Sequence, residues 1–140
     1  MAPIVVQAYT GGVQQLTSSY ADVAGSSYTY TPVYSSSRIT YRFNFQVSAV
    51  DASGAAHFRA YVAGTEQTAW RCSIQMPSWD SRATIEFTYE NGNTTPKAFK
   101  LQAREYDAAN ETKLHETTYF DGAASAQSSG AVLTIIEVPI

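Results

Sequence analysis

Charge and helix-forming pattern are what this 140-residue chain has least of. Charged residues make up only 15% of it, and no stretch of ten or more residues repeats its apolar positions at the helical period. Long surface helices and parallel α/β architectures are therefore excluded. A single cysteine, Cys72, rules out an intrachain disulfide and with it the disulfide-stapled secreted scaffold. No run approaches transmembrane length, and the opening residues, Met1 to Gln7, show neither a basic leader nor an apolar signal core. Neither a secretory route nor a membrane partner is expected. Nine Lys and Arg stand against twelve Asp and Glu, a formal charge of -3. The basic residues are scattered along the chain, so no nucleic-acid partner is expected either.

What is present is aromatic: ten Tyr, six Phe and two Trp. These residues suit a pleated, half-buried surface better than a helix. From Arg38 to Val50, Ile39, Tyr41, Phe43, Phe45 and Val47 alternate with Thr40, Arg42, Asn44, Gln46 and Ser48, which predicts a strand with one buried face. The polar cluster Asp51-Ala52-Ser53-Gly54 ends it, and His57 to Ala63 reads as the returning strand of a hairpin. Ala83 to Glu90 repeats the device, Asn91-Gly92-Asn93 closes it, and Ala98 to Tyr106 returns with Phe99, Leu101 and Ala103 inward. Lys113 to Phe120 alternates again, with Leu114, Thr118 and Phe120 on one face. After the small-residue loop Ala123 to Gly130, Ala131 to Val138 forms a nearly continuous apolar strand of the kind covered on both sides. Weaker candidates are Val13 to Ser18, Ser26 to Val33 and Trp70 to Gln75.

The sum is an all-β chain, an antiparallel β-sandwich or jelly roll of about eight to ten strands, with turn signals at intervals of roughly 8–12 residues. Residues 1–12 read as an N-terminal arm or edge strand, with Ile4, Val5 and Val6 its apolar part, and residues 13–140 as one sandwich domain.

No catalytic constellation is recognisable. His57, His115 and Cys72 include no pair at metal-ligand spacing, and both histidines fall opposite the apolar set of their strands, which predicts solvent-facing rings. No metal or other cofactor is expected. Neither a Gly-x-Ser-x-Gly elbow nor a cysteine-nucleophile signature occurs. Glu86 and Glu90 share a face, but four residues of strand separate them by ~13 Å, too far for a glycosidase pair, so they read as solvated surface. Glu105 interrupts an inward face, which points either to a partner such as an Arg of an adjacent strand or to the end of burial, and the end of burial is the simpler reading. Asn93-Thr94-Thr95 and Asn110-Glu111-Thr112 match the glycosylation pattern and read as polar turns. The aromatic surplus leaves two alternatives: Tyr28, Tyr30, Trp70 and Trp79 either fill the core or form stacking platforms for a ligand such as a glycan.

The stretch Leu133-Thr134-Ile135-Ile136-Glu137-Val138, after its small-residue loop, resembles the closing strand of trimeric jelly-roll domains of the tumour necrosis factor and complement globular-head type, in particular those of bacteriophage decoration and fibre proteins. The resemblance covers mainly the last third of the chain. It implies a closing strand in the middle of a sheet near a three-fold axis, with Val132, Leu133, Ile135 and Ile136 sharing core and subunit packing. It implies a non-enzymatic homotrimer that cements or decorates a viral capsid, with the major capsid protein or another virion protein as partner. Such a protein would sit on the virion surface after assembly in the host cytoplasm. The alternative from another class is a carbohydrate- or receptor-binding module at a fibre tip.

Overall fold

The computed structural model describes residues 2–49, 54–75, 80–118 and 126–140. Two sheets face each other. The first is built on β5 (Ser37–Ala49), the longest strand, flanked on one side by β9 (Ser81–Asn91). On its other side β14 (Ala131–Pro139) and then β11 (Thr112–Leu114) pair in succession, and β1 (Ile4–Tyr9) and β2 (Gln14–Gln15) lie outside these. The second sheet centres on β6 (Ala55–Val62) and β10 (Lys97–Glu105). Outside β10 lie β3 (Ala21–Asp22) and β4 (Tyr28–Tyr30), and outside β6 lie β7 (Thr65–Glu66) and β8 (Cys72–Gln75). A separate ribbon joins β12 (Glu116–Thr118) to β13 (Ala126–Ser128). The helical element among the described residues is one 3-10 turn, Thr68–Trp70. All the sheet pairings are antiparallel, and the chain is the predicted all-β sandwich of jelly-roll type.

Period-two patterning places the core where it was expected. Ile39, Tyr41, Phe43, Phe45 and Val47 of β5 are fully buried and meet Phe58, Phe99 and Leu101 of the other sheet. Tyr41 lies between Phe87 of its own sheet and Phe99 of the facing one, with ring centroids 4.8 and 6.1 Å away. Two tyrosines also tie the layers by their hydroxyls. Tyr41 donates to the Ser26 carbonyl at 2.6 Å, and Tyr30 of β4 donates to Glu137 of β14 at 2.6 Å. A buried phenol needs such a partner, and burial pushes both hydroxyls well above the ordinary tyrosine value.

Both predicted hairpins are corrected by the pairing. β5 pairs with β9, β14 and β11, and its successor β6 belongs to the opposite sheet; β9 and β10 are divided in the same way. After β5 and after β9 the chain changes sheet, about 10 Å between layers, instead of returning along the same one. The predicted strand from Lys113 to Phe120 is also broken: it splits at His115, whose φ of 64° is left-handed, and Phe120 lies outside the described residues.

At one corner the chain ends run side by side. β1 and β14 are antiparallel, with Ile4 opposite Ile136. The Glu137 amide donates to the Pro3 carbonyl at 3.0 Å, and the Ile140 amide to the Ser36 carbonyl at 3.2 Å.

Candidate functional site

Alternation along β1 and β14 sorts the predicted interface residues into two groups. Val5, Leu133 and Ile135 point into the sandwich, the last two with no exposed surface. Ile4, Val6, Val132 and Ile136 point outward, and the register sets Ile4 against Ile136, Val6 against Thr134, and Ala8 against Val132. Val138 and Ile140 extend the same strip. Ile4 is 56% exposed, Val6 66% and Ile140 68%, so the outer surface of these two strands is an apolar band open to solvent.

The rest of that face is polar. Next to Val138, Thr134 and Val132 stand Arg38, Arg42 and Asn44 of β5, and beyond them Glu90, Glu86 and Thr84 of β9. Arg38 bonds Glu90 at 2.9 Å, Arg42 bonds Glu86 at 2.6 Å, and the Asn44 amide donates to Thr84 at 2.7 Å. These pairs form a solvated border, as the sequence predicted for Glu86 and Glu90.

Glu137 anchors the end of the band. It is fully buried, and its carboxylate accepts four hydrogen bonds: from the Tyr30 hydroxyl and Val33 amide on Oε2, and from the Tyr34 amide (3.1 Å) and Ser37 hydroxyl (2.7 Å) on Oε1. Burial alone would raise its pKa; the four donors outweigh it and hold the carboxyl below its ordinary value. The segment from Val33 to Ser37 is thereby fixed against the last strand.

The stacking candidates are dispersed. Tyr30 is 5% exposed and its ring is part of the core; Tyr28 is half-buried against the same core. Trp70 ends the 3-10 turn with a partly exposed ring 6.2 Å from Phe87. It borders an open groove of about 290 Å³, with Cys72, Ile74, Ile85 and Glu86 on its walls. Trp79 lies outside the described residues.

The histidines separate. His57 sits on the outer face of the second sheet, with Nδ1 2.6 Å from the Ser73 hydroxyl. His115, expected to face solvent, is fully buried. Its left-handed backbone turns the ring inward, where Nε2 donates to the Ala24 carbonyl at 2.9 Å and Tyr9 packs 4.7 Å away. Burial lowers its pKa more than that hydrogen bond raises it, so the ring is neutral at pH 7. Tyr9 is held close by two glycines, since a Cβ at Gly11 or Gly25 would come within 2.5 Å of its side chain. Glu105 is a second correction: burial does not end there, and its Oε2 accepts the Thr112 amide at 3.2 Å inside the sandwich. Among the described residues no three His, Cys, Asp or Glu side chains come together to hold a metal ion.

No family model matches the sequence, and no curated protein matches it. Among solved structures, the chain superposes on part of dimeric latent PorU from Porphyromonas gingivalis with a TM-score of 0.51 at 8% identity, covering 99% of this chain and 13% of that one. It superposes on VP2 of the infectious bursal disease virus subviral particle with a TM-score of 0.50 at 9% identity, covering 99% of this chain and 42% of VP2. A carbohydrate-binding module, CBM6cm-2 from Cellvibrio mixtus lichenase 5A in complex with cellotriose, shares 14% identity over 92% of this chain and 88% of its own length, with a TM-score of 0.33. The chain thus spans less than half of the first two proteins, and what it shares with them at such identities is the fold of an antiparallel jelly-roll sandwich.

Proposed function

We propose that the chain is a non-enzymatic structural protein of a virion, a capsid decoration protein that assembles as a homotrimer through the outer face of β1 and β14. The observation that carries this is the apolar band Ile4, Val6, Val132, Ile136, Val138 and Ile140, a two-strand surface broken by Thr134, which holds six residues of the chain's exposed or half-exposed apolar set on one face. Large exposed apolar patches rimmed by polar residues mark protein interfaces, and homo-oligomers with closed symmetry are the commonest assemblies of soluble chains. Three copies turned toward a common axis bury one another's bands and leave the Arg38–Glu90 and Arg42–Glu86 border in water. VP2, with a comparable fold, is the protein of a subviral particle, and the resemblance of the closing strand to trimeric phage domains points the same way.

Light scattering on the purified chain tests the assembly. The expected result is three times the chain mass for the wild type and a monomer for Val6→Asp combined with Val132→Asp, both melting cooperatively. A monodisperse wild-type monomer that leaves capsids unbound overturns the proposal.

The second reading, a carbohydrate- or receptor-binding module, is favoured by one observation: the partly exposed Trp70 ring beside its groove. Loss of glycan binding on Trp70→Ala, with the oligomeric state unchanged, is its signature.

A further inference from the structure

The basic residues scattered along the sequence are gathered by the fold. On the outer face of the second sheet, alternation and register stack three rows across the strands. Arg104 of β10 lies opposite His57 of β6, which lies opposite Ser73 of β8. One row along, Asp22 of β3 faces Gln102 of β10, and Gln102 faces Arg59 of β6. The third row is Lys100 of β10, Tyr61 of β6 and Glu66 of β7. Tyr20 lies beside this face, just ahead of β3. In a chain of net charge -3, this one face holds four cations, Arg59, Arg71, Lys100 and Arg104, against two carboxylates, Asp22 and Glu66.

The face is also pre-organised. The Arg59 guanidinium lies 4.0 Å from the centre of the Tyr20 ring and 5.4 Å from that of Tyr61. Arg104 reaches the Tyr20 ring at 5.7 Å, and the Lys100 ammonium the Tyr61 ring at 5.6 Å. Arg59 is further locked by two bonds to the Gln102 side-chain oxygen, at 2.9 and 2.7 Å. Gln102 in turn donates to Asp22 at 2.8 Å, and Lys100 donates to the same oxygen at 3.0 Å. Those bonds from Gln102 and then Lys100 hold the Asp22 carboxyl below its ordinary range. Arg71 is neutralised by a two-pronged bond to Glu66, both contacts 2.8 Å. Among the described residues no carboxylate pairs with Arg59 or Arg104. Arg59 is thus held by two rings and the Gln102 amide oxygen, and Arg104 by the Tyr20 ring and, at 3.5 Å, the Ser18 carbonyl; the charge of Arg59 also attracts the nearby Glu66 without bonding it.

We propose that this face binds an acidic polysaccharide, a sugar chain carrying carboxylates, with Arg59 and Arg104 taking the carboxylates and Asp22, Gln102, Tyr20 and Tyr61 taking the hydroxyls. The mixture of groups selects the class. A guanidinium matches a carboxylate edge to edge. Asp22 and Glu66 repel any polyanion, but the hydroxyls of a sugar chain can donate to those carboxylates, which the phosphates of a polynucleotide cannot. The Arg59 guanidinium already covers a face of Tyr20, which leaves that face closed to a nucleic-acid base. This surface is on the opposite sheet from the apolar band; it meets the Trp70 groove at Arg71, which lines that groove, while Arg59 and Arg104 lie outside the groove's lining, so it stands whether or not either of those readings does.

Calorimetric titration of the full chain tests it, with polygalacturonate, neutral dextran and a single-stranded oligonucleotide as probes. Polygalacturonate should bind and weaken as salt is added, while dextran should not bind. Arg59→Gln with Arg104→Gln should lower affinity for polygalacturonate by about tenfold or more with the melting curve unchanged. Arg42→Gln, on the other sheet, should leave it intact. No binding of polygalacturonate by the wild type, equal binding by the double variant, or tighter binding of the oligonucleotide would each overturn the proposal.

Discussion

Glu137 places a full negative charge in the core, and the four donors around it decide what that charge does. Glutamine at this position keeps one acceptor oxygen but turns an NH2 group toward donors, so either the Val33 or the Tyr34 amide loses its partner. Glu137→Gln should destabilise the fold by about 1–3 kcal/mol at neutral pH, the range for losing a buried charged hydrogen bond, measured by urea denaturation. Because the folded carboxyl sits below its ordinary value of 4.5, its stabilisation is complete above that pH and is lost as pH falls through the folded value. The gap between wild type and variant should therefore close on acidification below about 4.5; a gap that stays constant to pH 3 would contradict the linkage. At this scale the sequence contained a signal: Leu133, Ile135 and Glu137 share one phase of the strand, as do Leu101, Ala103 and Glu105. A charge at an inward position announces a satisfied buried group as readily as the end of burial. His115 carried no comparable signal, since its inward turn depends on a left-handed backbone that alternation does not encode.

Strands were legible where period two ran for eight residues or more, and for a physical reason: the long strands β5, β9, β10 and β14 each have one face against the core. β2, β3 and β7 are two residues long and exist because a neighbour offers them a ladder, which no local pattern records. The false hairpins have the same origin, because alternation tells which face is buried but not which strand lies alongside. Phase itself is testable on β14. Leu133→Ala removes a fully buried side chain and should cost about 2–5 kcal/mol, whereas Val132→Ala, one residue away and facing outward, should change the stability of the monomeric fold by no more than ~0.5 kcal/mol. Chemical denaturation of both, made in the Val6→Asp background to weaken any contribution from assembly, gives the comparison. Equal costs would mean that the faces are assigned wrongly.

Across the whole molecule, each sheet presents a distinct outer surface: an apolar band with a charged border on one, a lattice of rings and cations on the other. Composition hid this division, because a low charge content and a net negative total describe neither face. The same view of the molecule gives the adjoining chain ends a topological meaning. Ile4 lies beside Ile136, and the Glu137 amide is bonded to Pro3, so residues 2 and 140 of this chain are within reach of a short connection. Joining residues 2 and 140 through a short glycine-serine linker and opening the chain at Gly92, where an added side chain would meet nothing within 4 Å, should give a circular permutant with the same sheets and a melting temperature within a few degrees of the parent. Calorimetry and circular dichroism would show it. An unfolded permutant would mean that β1 must be made first for the sandwich to close, turning a statement about geometry into one about the order of synthesis.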